Sequence, residues 1–189
     1  MRPSGIPGSK GTVHPVRRFG TPALHVPGAE VPEFGAPLAQ LVEDLFASMY
    51  AAGGVGLAAG QIGVSLRVFV YDCPDDEDRR HLGHLVNPGP LRTGGVEVTG
   101  PEGCLSLPGR EFGTRRSDEA ELDGFDAYGR PVTVAGTGFF ARCLQHEYDH
   151  LGGTVYTDRL TGPRRLRARW AERGWAGPGR GAGEAPPRS

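Results

Sequence analysis

Two histidines four residues apart, His146 and His150, enclose a glutamate, Glu147, in the stretch LQHEYDHLGG (residues 144–153). A helix turns 100° per residue, so positions i and i+4 share one face about one turn apart. Both imidazoles can then point at one metal ion. Glu147 leaves the same turn and can reach a water on that ion without ligating it. Two neutral imidazoles beside a carboxylate base are the parts of a metal-dependent hydrolase. The plain alternative is an amphipathic core helix that carries two histidines by chance. Gln145 and Asp149, framing the pair, make such a core face improbable.

A catalytic metal needs a third protein ligand and an open position. The residues alone leave that ligand open among three cysteines, four further histidines and many acids. Cys104 lies in PEGCLSLPG, a tight loop where a thiol could be held rigidly. Cys143, one helical turn before His146, and Cys73, at a strand end, read as small buried hydrophobes.

These groups need elements to position them. Over residues 34–52, FGAPLAQLVEDLFASMYAA, apolar residues Leu38, Leu41, Val42, Leu45, Phe46 and Met49 recur at helical spacing. Pro37 suits the first turn and the glycines of GGVGLAAGQIG end the helix. LRVFVYDC (66–73) is rich in β-branched and aromatic residues and predicts a strand. HLVNPGPL and GGVEVTG predict further strands, and EAELDGFDAYGRPVTVAG alternates into a hairpin around Tyr128, Gly129 and Arg130. GFFARCLQHEYDHLGG predicts the second helix, stopped by Gly152 and Gly153. The order helix, strands, helix predicts an α+β fold with a mostly antiparallel sheet around the histidine-bearing helix, and an N-terminal amphipathic helix.

The 189 residues suffice for one domain with a real core. Gly 31 and Pro 17 predict many turns. A net charge of −1 gives no bulk attraction for DNA or membrane. No apolar run is long enough to span a bilayer, and the N-terminus lacks the apolar core of a secretory signal. Three cysteines argue against a disulfide framework and for a reducing cytoplasm. Residues 1–12 are expected to be a disordered arm, and residues 13–160 the catalytic domain. The tail, residues 161–189, holds seven Arg against two Glu, with residues 163–173 fit for a short basic helix and the end for disorder.

Three segments in order, GVGLAAGQ (54–61), EGCLS (102–106) and QHEYDHLGG (145–153), resemble the signature motifs of peptide deformylases. The resemblance extends through NPGP, LDGFDAYGRP and YTDRL. It implies removal of the N-formyl group from the initiator methionine of nascent peptides. It also implies roles: Cys104, His146 and His150 as metal ligands, Glu147 as general acid/base, and Gln61 with the Leu105 N–H as oxyanion donors. Val55, Gly56 and Gly103 are implied to grip the peptide as an added strand. The implied cofactor is one divalent ion, Fe²⁺ natively, with Zn²⁺, Ni²⁺ or Co²⁺ suited to the same ligands.

One departure from the family pattern falls at TRR (114–116), where family members often carry Val-x-Arg. Arg116 keeps the charge there. It is either a brace on Asp149 or Glu102, or a solvated surface arginine. The basic tail is likewise either a solvated helix or a contact for ribosomal RNA. Two rival functions share the histidine motif. A metallopeptidase more often uses Glu or a third His where Cys104 stands. A metal-stabilised binding protein has no need for the base Glu147.

Overall fold

The computed structural model describes residues 6–173. Helix α1 spans Ala36–Ala51. Six strands follow, of which β4 and β5 form a long hairpin: β1 Gly56–Ala58, β2 Val68–Pro74, β3 Arg80–Val86, β4 Arg92–Cys104, β5 Leu107–Phe125 and β6 Pro131–Thr137. Helix α2 spans Gly138–Leu151 and α3 spans Gly162–Arg173. The named strands pair antiparallel in one sheet, in the order β1-β2-β3-β5-β4, with β6 on β5. This is the α+β fold that the sequence predicts.

Helix α1 buries the stripe its spacing implies: Leu38, Val42, Leu45, Phe46 and Met49 pack on Leu57, Val68, Val70 and Val86. Fully burying one such side chain stabilises the fold by about 1.5–3 kcal/mol. Gly53 turns the chain out of the helix at φ +71, a left-handed conformation open to glycine at little cost. Helix α2 packs Phe140, Leu144 and Leu151 on Phe69, Leu85 and Leu122 from the sheet. Its first turn accepts a foreign cap, since Phe139 N–H donates to Asp76 Oδ1 at 2.9 Å from the β2–β3 loop.

Gln145 ties α2 to β5 at two points. Its Nε2 donates to Ser117 O at 2.8 Å and its Oε1 accepts from Ser117 N–H at 3.2 Å. A third apolar group, Phe19, Leu24, Leu107, Val155 and Tyr156, packs around Cys104. Among the described residues no helix is long and apolar enough to cross a membrane.

Two expectations change. The arm is not free throughout, because residues 6–12 run along α1. Gly8 N–H donates to Glu43 Oε2 at 2.9 Å and Thr12 N–H to Asp44 Oδ1 at 2.8 Å. Side-chain acids on the outer face of α1 bind the backbone of a segment that has no apolar stripe of its own. PEGCLSLPG is also less of a loop than its Gly and Pro suggest: β4 runs on to Cys104 and β5 starts at Leu107. The expected disorder at residues 1–5 and beyond 173, and Trp175 with it, lies outside the described residues.

Candidate metal centre and peptide cleft

Cys104 arrives on the end of β4, and His146 and His150 on the inner face of α2. Their ligand atoms all lie within 4.8 Å of one another. Cys104 Sγ is 3.3 Å from His150 Nε2. His146 Nδ1 is 2.7 Å from Glu102 Oε1, which commits that nitrogen as donor and leaves Nε2 free to face a metal. Burial alone would raise the Cys104 thiol, but the His150 and His146 imidazoles outweigh it and hold it well below its ordinary value. A thiolate and two imidazoles fit a divalent transition metal. The open side fits as well, because the buried Glu147 Oε2 has no hydrogen-bond partner among the described residues.

Glu147 is buried against the first signature segment. A Cβ at Gly56 would come within 2.9 Å of the Glu147 carboxyl carbon, so only glycine lets β1 pass there. A Cβ at Gly54 would run into the Leu105 side chain. Burial pushes the Glu147 carboxyl up to about 7, against the pull of His146 and His150.

Gln61 sits in the turn Ala59–Ile62 beside the cluster. Its Oε1 accepts from Ala58 N–H at 2.9 Å, which aims its NH₂ at Ser106 Oγ, 3.2 Å, and Cys104 Sγ, 3.5 Å. The amide therefore presents its donors, not its carbonyl, to the centre.

Around the ligands lies a charged brace. Arg116 is buried and donates from Nε and Nη2 to Glu102, 3.0 and 2.5 Å, and from Nη1 to Asp149, 2.7 Å. It pairs with both acids between which the sequence left it. Burial works against the charge on Glu102, but Arg116 and His146 outweigh it and bring its carboxyl down to about 2. Arg142 adds a contact to Glu102 at 3.1 Å, and Arg159 grips Asp149 through Nε and Nη2. Arg142 and Arg159 were not picked out from sequence. The only available signal was the position of Arg142 four residues before His146, on the same helix face. Tyr156, also missed, packs its ring 5.9 Å from that of His146 and donates from its hydroxyl to Arg110 O at 3.2 Å.

The centre opens into a cleft of about 780 Å³. Val55 and Gly56 line one wall, Gly103 and Leu105 the other, and Phe139, Arg142 and Cys143 lie alongside His146 and Glu147. Cys143 is buried as expected, but it also borders the cleft. Cys73 is buried in the core.

Residues 13–166 match the family profile described as polypeptide deformylase. The chain belongs to the polypeptide deformylase family. Peptide deformylase 2 of Streptomyces coelicolor is 68% identical over 164 residues, covering 87% of this chain and 92% of that one. A crystal structure of a peptide deformylase from Legionella pneumophila superposes with TM-score 0.77 at 35% identity, covering 87% of this chain and 95% of that one. A Met-Ala-Ser-bound class I type b deformylase from Acinetobacter baumannii gives TM-score 0.72 at 31% identity, covering 79% and 99%. As a deformylase, the chain is a metal-dependent hydrolase that removes the formyl group from nascent peptides. Its match continues past residue 160 into α3.

Proposed function

We propose that Cys104, His146 and His150 hold one divalent ion, natively Fe²⁺, and that formyl-Met peptides are hydrolysed beside it. The observation that carries this reading is the convergence of the three ligand atoms within 4.8 Å next to a buried, unsatisfied Glu147. When bound, the ion acidifies a water and polarises the formyl oxygen. Glu147 takes the proton of the attacking water and passes it to the leaving amine, a task suited to a carboxyl poised near neutrality. Formamide hydrolysis passes through a tetrahedral oxyanion. Gln61 Nε2–H and the Leu105 N–H donate to it, and Ala58 keeps the Gln61 amide turned the right way.

Val55, Gly56 and Gly103 pair their backbones with the peptide as an added strand. The Met-Ala-Ser bound to the Acinetobacter relative agrees with such an occupant. The ligand set suits Zn²⁺, Ni²⁺ and Co²⁺ as well as Fe²⁺, and elemental analysis of anaerobically purified protein tests the assignment. A thiolate beside ferrous iron suits a reducing cytoplasm.

The basic tail docks on ribosomal RNA near the emerging substrate. In α3, Leu166 and Trp170 are exposed at 70% and 78% among the arginines. For the activity itself, iron-loaded protein is incubated with formyl-Met-Ala-Ser and with Met-Ala-Ser. Formate release from the first alone is expected. Cleavage of internal bonds in either peptide would overturn the reading in favour of a peptidase.

A further inference from the structure

The cleft wall that carries Gly103 also carries a carboxylate with no task in the chemistry. Glu111 stands directly across from Gly103 in the β4–β5 register. Its Cγ and Oε1 would lie 3.3 and 3.7 Å from a Cβ at residue 103. Gly103 and Glu111 are both exposed and both line the cleft. The Glu111 side chain thus occupies the face of the hairpin that the missing side chain at 103 leaves clear. The other acids of the cleft are committed: Glu102 is buried under Arg116, Arg142 and His146, and Glu147 is buried beside the ligands. Among the described residues Glu111 has no ion-pair partner. Nor does Arg110, the neighbouring cleft cation, whose carbonyl is turned to the Tyr156 hydroxyl.

We infer that Glu111 is a specificity-determining residue, favouring peptides with Lys or Arg over those with Asp or Glu within the two residues after formyl-methionine. The inference rests on the proposed strand addition along Gly103. A peptide laid there must pass its side chains beside the Glu111 carboxylate, because the formylated end is fixed at the metal centre. An ammonium or guanidinium there meets the opposite charge, and a carboxylate meets a like one. Because the wall is exposed, the effect is modest and salt-dependent: about three- to fivefold for each sign of charge, fading as ionic strength shortens the Debye length.

The test uses the metal-loaded full chain. Values of kcat/KM are measured for formyl-Met-Ala-Ser, formyl-Met-Ala-Lys, formyl-Met-Ala-Glu, formyl-Met-Lys-Ser and formyl-Met-Glu-Ser at low and high salt. In parallel, the dissociation constants of the product peptides Met-Ala-Lys and Met-Ala-Glu are measured by calorimetry. The expected result is a Lys-over-Glu preference of about tenfold at one of the two positions at low salt. That preference collapses toward unity in Glu111→Gln and inverts in Glu111→Arg. The product affinities should follow the same order. A Lys/Glu ratio unaltered by Glu111→Gln overturns the inference while leaving the deformylase reading standing. Absence of formyl-Met-Ala-Ser turnover by the loaded wild type fails the underlying reading instead.

Discussion

Glu102 and His146 are joined by a 2.7 Å contact between carboxylate and Nδ1. Glu102 in turn takes Arg116 on both its oxygens. Arg116 therefore acts on the metal centre through another residue. In Arg116→Ala two buried carboxylates lose their shared cation, at a cost of about 3–5 kcal/mol. Metal affinity should fall about 10–100-fold, read by competition with a chelator. Unchanged metal retention and kcat would show that the brace is idle.

Glu147→Ala should keep its ion, because Cys104, His146 and His150 are untouched. Turnover should fall about 10²–10⁴-fold, the usual worth of a positioned acid/base. Metal content and formate release measured on the same sample check both halves, and retained turnover would contradict the mechanism.

Gln61→Ala removes one oxyanion donor. The expected loss is about 2.7–4 kcal/mol of transition-state stabilisation, seen as a drop of about 10²–10³ in kcat with little change in KM. Ser106→Ala, which removes only the hydroxyl that steadies the amide, should cost less. Equal losses in the two variants would move the donor role away from Gln61.

The metal-free protein carries a pH signature. Its Glu147 carboxyl lies near 7 against an ordinary 4.5, because burial disfavours the charge. A raised carboxyl stabilises the fold below the unfolded value, and that contribution is lost as pH rises through the folded one. The stability of metal-free protein should therefore fall by roughly 3 kcal/mol between pH 5 and 8. Glu147→Gln should lack the decline, and loading a divalent cation should reduce it. Urea unfolding at several pH values measures the slope. A decline of equal size in the Gln variant would place its origin elsewhere.

Deleting residues 161–189 should weaken ribosome binding, more so at low salt than at high salt. Sedimentation with ribosomes at two salt concentrations decides it, and equal binding with and without the tail sinks the proposal.

The parts of the site that a sequence displays are those set by local spacing. His146, Glu147 and His150 share a helix turn, so their geometry follows from periodicity. The α1 stripe from Leu38 to Met49 was legible for the same reason. Cys104 was a named candidate in the sequence, but its nearness to His150 depends on how β4 packs against α2, a contact across 46 residues. Arg142 and Arg159 were hard to find because an arginine near a helix usually faces water; buried Glu102 draws Arg142 in, while Arg159 reaches Asp149 from the exposed side. Residues 6–12 misled because Gly and Pro signal flexibility. Here Glu43 and Asp44 on the outer face of α1 bind that backbone.

A helix packed on a sheet by apolar side chains alone is a smooth cylinder and can roll. One residue's worth of roll is 100°, and a fraction of that would swing His146 and His150 away from Cys104 on the sheet. Gln145 prevents it by holding both the N–H and the C=O of Ser117, as a neighbouring strand would. It keys the rotational phase of α2 to the sheet. The direction in which the next two side chains point is thereby settled by a residue that touches neither metal nor peptide.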